Sequence, residues 1–161
     1  MTPQDRALLE DVTQFIYREA RLQDDHAYDE WEALWTDDAI YWIPANGEGE
    51  DPENKMSIVY DNRSRISLRV RQLKTGRRFS QSPKSRLRRL ISNVEILSTD
   101  DQHVTVTANA LLFESHVRGD TLWASRNEYK LRRDGDGFRL VSKKVILVNN
   151  ETALFSMAFL I

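Results

Sequence analysis

Three histidines and a tight group of acids and rings are the parts of this sequence that could do chemistry. His26 directly follows Asp24-Asp25, and a carboxylate beside an imidazole can orient it as a general base. Tyr28, Trp31, Trp35, Tyr41 and Trp42 come next, enough ring surface to line a substrate pocket. Each feature also has a plainer reading. His26 in an acidic stretch fits an exposed turn, and large aromatics dominate core energetics without needing a ligand. His103 opens a strand after a polar turn, and His116 stands just before Arg118-Gly119-Asp120, so both are expected at exposed strand ends. An isomerase or dehydratase would need Asp, His and Tyr to converge, and no spacing singles out such a set.

The absence of cysteine removes disulfides, thiolate nucleophiles and every iron–sulfur or zinc site built on Cys. No two histidines share one helical face, so no metal site is expected within the chain. At 161 residues the chain is expected to form one domain, 1–161, large enough to bury roughly two-thirds of its unfolded surface. The opening MTPQDRALLEDV carries acids and no long apolar run, so neither a secretory signal nor an anchor is expected. No stretch approaches the ~18 apolar residues of a membrane span. A soluble, cytoplasmic protein without a membrane partner is the expectation.

The net charge of −2 conceals an asymmetry. From Asn62 through Val94 there are eleven Lys or Arg and no acid, while the rest of the chain holds 12 bases and all 25 acids. Clustered arginines could neutralise phosphates, but no recognisable nucleic-acid module accompanies them, so no nucleic-acid partner is expected. A solvated helix face is the common alternative. Arginine is also the favoured cation at protein interfaces, which leaves subunit contact as a third reading.

The elements that must position these residues follow from periodicity. Thr2-Pro3-Gln4-Asp5 is a helix start, and Leu8, Val12, Phe15, Ile16 and Ala20 form an apolar stripe behind it. Asp24-Asp25 is expected to break and recap, giving a short second helix through DEWEALW. After a Thr36-Asp37-Asp38 turn, AIYWIP is a short strand that Pro44 places near a sheet edge. NGEGEDPENK is a surface loop, and Met56 to Leu73 fits a third helix with a basic exposed side. Lys74 to Ser85 is an irregular link. From Leu87 to Val148 the period becomes two, with turns at SerThrAspAsp, Arg118-Gly119-Asp120 and Asp134-Gly135-Asp136-Gly137, so four long strands form an antiparallel meander. The apolar end TALFSMAFLI is expected to pack into the sheet or a partner, since burying each large side chain stabilises by roughly 1.5–3 kcal/mol. Helices followed by a mostly antiparallel sheet make an α+β layout, and a curved sheet wrapped around the aromatic helix pair is the cone of the NTF2-like fold.

YREARLQDDHAYDEWEALWTDDAIYWIP, the later LISNVEIL, the strand SKKVILVNN and the terminus FSMAFLI, in this order, resemble the small (β) subunit of aromatic-ring-hydroxylating dioxygenases of the benzoate and biphenyl type. The resemblance runs nearly end to end. It implies a large-subunit partner bearing a Rieske [2Fe-2S] cluster and a mononuclear Fe(II), electrons from NADH through separate carriers, and three small subunits stacked on three large ones. It also implies a role in aromatic compound catabolism that supports assembly, with no catalytic, cofactor-binding or metal residue in this chain. Arg63, Arg65, Arg69, Arg77, Arg78, Arg88, Phe159 and Ile161 are then the candidates for subunit contact. Two other readings stay open: a stand-alone NTF2-like isomerase, dehydratase or hydrolase with its own pocket, and a small-molecule binding module. An open cone with an unpaired Asp or His would favour an enzyme, whereas a cone filled by Trp, Tyr and Leu would not.

Overall fold

The first helix is capped as its sequence dictates. In the computed structural model, which describes residues 1–75, 84–151 and 159–161, α1 spans Pro3–Asp24, with the Thr2 hydroxyl accepting from Asp5 N at 3.1 Å and the Asp5 carboxylate accepting from Thr2 N at 2.9 Å. Val12, Phe15, Ile16 and Ala20 are buried as the stripe requires. The remaining elements are α2 (Tyr28–Glu32), β1 (Trp35–Pro44), β2 (Ser57–Asn62), α3 (Arg63–Thr75), β3 (Arg86–Thr99), β4 (His103–His116), β5 (Gly119–Asp134) and β6 (Gly137–Leu147).

The six strands form one curved, unclosed sheet in the order β2-β1-β6-β5-β4-β3, antiparallel throughout except for the parallel pair β1 and β6. This is the α+β cone expected from the pattern. Its helices cover the concave face, where the inward residues of β4 to β6 meet α1 and the aromatics of α2 and β1 in a single cluster. Gly135 takes φ +58° in the β5–β6 hairpin, a conformation that costs glycine nothing.

Four details depart from the sequence reading. The segment 57–62 is a strand rather than the start of a helix, because its β-branched and aromatic run pairs with β1 from Ile40–Asn62 to Pro44–Ser57. Asn62 then caps α3, accepting from Arg65 N at 3.0 Å. β1 begins at Trp35, so Thr36-Asp37-Asp38 lies within a strand and the second helix ends at Glu32. β1 is also an inner strand, since Pro44 falls at its end, beside a register shift, where its missing N–H breaks little of the ladder. Finally, α2 has Ala27 as its N-cap with no side-chain bond, and the reversal between α1 and α2 is made by His26 at φ +55°.

Candidate functional site

The place to look for chemistry in a cone is its interior, and here it is filled. Trp31, Trp35 and Tyr41 pack ring to ring, with centroids 5.4 to 5.8 Å apart. The Tyr41 hydroxyl donates to Ile161 O at 2.6 Å and accepts from Ile161 N at 3.2 Å, so the end of the chain closes on the same cluster. Burial pushes the Tyr41 phenol up to about 12 and raises that of Tyr129 as well.

Behind the rings lies a buried ion pair. Glu19, from α1, and Lys143, from β6, are each about 1% exposed, with Nζ 2.8 Å from Oε2. Trp31 Nε1 donates to the same oxygen at 2.8 Å. The Gln23 amide, oriented so that both its groups are satisfied, donates to Glu19 Oε2 at 3.0 Å and accepts from Lys143 Nζ at 3.3 Å. Lys143 also lies 5.8 Å from the Tyr129 ring centre. Burial pulls the Lys143 ammonium below its ordinary value, and Glu19 opposes that shift.

The other buried acids are engaged too. Asp24 accepts from the Arg89 guanidinium and from Arg89 N at 2.9 Å, and Arg89 donates onward to Leu160 O. Asp61 pairs with Arg69 at 2.7 Å. Glu114 accepts from Ser85 Oγ at 2.6 Å and from Trp123 Nε1 at 3.2 Å. Among the described residues, no buried carboxylate is left facing an open cavity as a general base would be.

The histidines do not complete a catalytic set. Asp24 turns to Arg89, away from a dyad with His26. The His26 Nε2–H donates to Ser85 O at 2.8 Å, which leaves Nδ1 to accept from the Tyr28 hydroxyl at 3.1 Å. His26 is therefore half-buried, tying the α1–α2 turn to the start of β3, rather than the free surface histidine expected. His103 and His116 begin and end β4, thirteen residues and about 43 Å apart along an extended strand. His116 is half-buried, and its Nδ1 accepts from Arg118 N at 3.1 Å. Among the described residues no group of three or more His, Asp or Glu could hold a metal ion. With no cysteine, the chain cannot supply the thiolate ligands of an iron–sulfur centre.

The convex face of the sheet differs. Leu90, Leu111, Phe113, Leu122 and Val148 are 67, 38, 47, 60 and 77% exposed. They share one side, because Leu90 pairs with Leu111 and Phe113 with Leu122, and a hollow of about 740 Å³ on that side is lined by Leu90, Leu111, Arg126, Val148, Glu48 and Glu151.

A model of the family described as "Ring hydroxylating beta subunit" matches residues 18–153. The chain belongs to the ring-hydroxylating beta-subunit family. Its relatives include the beta subunit of toluate 1,2-dioxygenase from Pseudomonas putida, 32% identical over 88% of this chain and 90% of that one. The beta subunit of benzoate 1,2-dioxygenase from Acinetobacter baylyi is 29% identical over 91% of this chain and 89% of that one. Among solved structures, the beta subunit of benzoate 1,2-dioxygenase from Burkholderia mallei superposes with a TM-score of 0.77 at 31% identity, covering 94% of this chain and 96% of that one. The protein is thus the small subunit of an aromatic-ring-hydroxylating dioxygenase, a component of an oxidoreductase complex with a large-subunit partner. No described helix is long and apolar enough to cross a membrane.

In this small subunit the proposed contact residues fall into distinct settings. Arg63 is held by Glu32 at 2.9 Å and Ser67 at 2.7 Å, and Arg69 by Asp61, so both are tied within the chain. Arg65 is exposed on α3, and Arg88 is exposed on the convex face of β3, so the two do not lie on one element. Phe159 and Ile161 are buried in the chain's own core, Phe159 against Trp123 at 5.8 Å. Arg77 and Arg78 lie outside the described residues. Sequence reasoning missed the Glu19–Lys143 pair and the apolar convex face. Both had a signal: Glu19 falls three residues from Ile16 on the apolar stripe, Lys143 shares the inward parity of Val145 and Leu147, and Leu111-Leu112-Phe113 is apolar on both faces of a strand.

Proposed function

We propose that this chain is a noncatalytic structural subunit, one domain over 1–161, which supports a large subunit carrying the Rieske cluster and mononuclear iron. Three copies would assemble with three large subunits in the cytoplasm, with electrons arriving from NADH through separate carriers. The observation that carries the reading is the filled cone: the interior where a chain of this fold would keep a pocket is occupied by Trp31, Trp35, Tyr41 and a Glu19–Lys143 pair satisfied inside the chain. Related small subunits take their names from dioxygenases of benzoate, 2-halobenzoate, toluate and anthranilate. We extend this to an aromatic carboxylate as the substrate class of the assembled enzyme, in aromatic compound catabolism. The large subunit makes the contacts that choose among such substrates.

Co-expression with the large subunit tests the proposal. The two chains are expected to co-purify in equal numbers, with benzoate-dependent oxygen uptake lost when the small subunit is withheld. A large subunit fully soluble and active alone, or an activity of the isolated small chain on an aromatic carboxylate, would contradict it.

A further inference from the structure

Strand β3 is an edge of the sheet, with β4 on one side and no strand on the other among the described residues. Its two halves are covered differently. In the first half the last residue of α1, Asp24, accepts from Arg89 N at 2.9 Å and so engages a backbone donor that β4 does not take. A break follows at Asn93, which takes φ +55° where the pairing with β4 shifts register between Ser92 and Glu95. Beyond it, among the described residues, the backbone of Val94 to Leu97 has no hydrogen bond outside the ladder with β4.

Beside this open half runs a groove of about 560 Å³ between the first turns of α1 and β3. Leu8, Leu9, Val94 and Ile96 form its apolar floor, all half-buried, and Leu97 stands 59% exposed beside them. Asp5 and Glu95 line it as well. Glu95 is exposed and makes no ion pair among the described residues. The backbone hydrogen bond from Thr2 holds the Asp5 carboxyl below its ordinary value, so this acid too stays anionic. At the Thr99 end, Arg133 donates to Thr99 Oγ1 at 3.1 Å.

An edge strand with free N–H and C=O groups is a template for another chain, and here the template lies beside apolar surface and fixed negative charge. Those three features together suit an extended peptide, whose main chain pairs with the edge while alternate side chains enter the floor or meet the acids. We propose that the outer edge of β3 from Val94 to Leu97, with the groove along α1, binds an extended segment of another protein in which apolar residues alternate with Lys or Arg. A second copy of the same edge is disfavoured, because it would set Glu95 and Asp5 against acids of their own kind.

The test uses the small subunit assembled with its large subunit and a fluorescein-labelled, amidated peptide, Lys-Ile-Lys-Val-Lys-Ile-Lys, with Glu-Ile-Glu-Val-Glu-Ile-Glu as its control. The basic peptide is expected to give a saturable rise in anisotropy and to slow amide exchange at residues 94–97, and the acidic one to do neither. Glu95→Lys and Leu97→Lys change exposed positions and are each expected to weaken binding about tenfold or more with unfolding temperature unchanged. Glu10→Lys makes the same charge change on α1 away from the groove and is expected to leave binding within about twofold. No saturable binding up to about 1 mM peptide overturns the proposal. So does binding that Glu10→Lys weakens as much as Glu95→Lys, because the attraction would then be general charge, and so does binding that leaves exchange at 94–97 unaltered, because the edge would then be unused.

Discussion

Inside the sheet, a lysine and a glutamate, each about 1% exposed, hold each other with Trp31 and Gln23 completing the set; outside it, leucine, phenylalanine and valine lie open beside arginines and glutamates that make no ion pair among the described residues. A soluble enzyme that works in its own cone would reverse this, with unpaired polar groups lining the interior and a closed polar exterior. The contrast says where each face finds its partners. The concave face finds most of them in its own chain, Trp35 Nε1 being buried without a hydrogen-bond partner among the described residues, so Glu19, Lys143 and Gln23 hold α1 to the sheet. On the convex face Lys144 pairs with Glu128 at 3.9 Å, while Arg86, Arg88, Glu48 and Glu151 make no ion pair among the described residues.

Breaking the interior should be costly, and the largest effect falls on the ion pair. Lys143→Met leaves the Glu19 charge buried without its cation and should destabilise the chain by about 3–5 kcal/mol, read from the urea midpoint. Adding Glu19→Leu should recover part of that loss, because an apolar pair of similar volume removes both buried charges. Trp31→Ala should cost a similar ~3–5 kcal/mol through the cavity and the lost bond to Glu19. If either change stays within about 1 kcal/mol of the parent, the interior is not packed as described.

Alkali probes the same region more gently. A phenol whose pKa rises from 10.0 to about 12 on folding stabilises the fold fully below pH 10, and the contribution disappears as the pH climbs through 12. For Tyr41 this amounts to roughly 2–3 kcal/mol, so unfolding should set in above pH 10 and the tyrosinate absorbance of Tyr41 should appear only with it. Removing Tyr41 as Tyr41→Phe should shift that alkaline transition upward. An unchanged transition would count against burial as its cause.

The smallest expected effect on folding lies outside. Leu111→Ser and Phe113→Ser should move the stability of the dissociated chain by no more than about 0.5 kcal/mol, measured by thermal unfolding at low concentration. A loss as large as that of Trp31→Ala would mean that the convex face is core, and the contrast between the two faces would fail.

Much of this architecture was readable from residues alone. The capping box at Thr2, the α1 stripe and the strand meander from β3 to β6 all depend on local chemistry and period, which a sequence displays directly. Core packing of the aromatics was the plainer of two readings, because rings at helical spacing followed by AIYWIP have few places to go other than a core, but whether the cone was open or filled was not legible. Residues 57–62 were not, since SIVYDN becomes a strand by pairing with β1, a partner distant in the chain. The Glu19–Lys143 pair was hidden for a similar reason: each looks like a solvated charge until α1 is laid across β6. A run of arginines carries no information on which neighbours neutralise them. Arg63 and Arg69 meet Glu32 and Asp61, while Arg65 and Arg88 meet no acid among the described residues.

A chain that shapes the dioxygenase without taking part in its chemistry can lose its buried polar pair and keep the activity of the complex. The most direct measurement is turnover of an aromatic carboxylate by the purified complex assembled with the Glu19→Leu, Lys143→Met small subunit, which removes the only buried acid–lysine pair among the described residues. A complex of unchanged mass whose turnover stays within about twofold of the parent is expected, since no group that touches substrate has been altered. A complex of unchanged mass that has lost turnover a hundredfold, about 2.7 kcal/mol of transition-state stabilisation, would place chemistry inside this cone and contradict it.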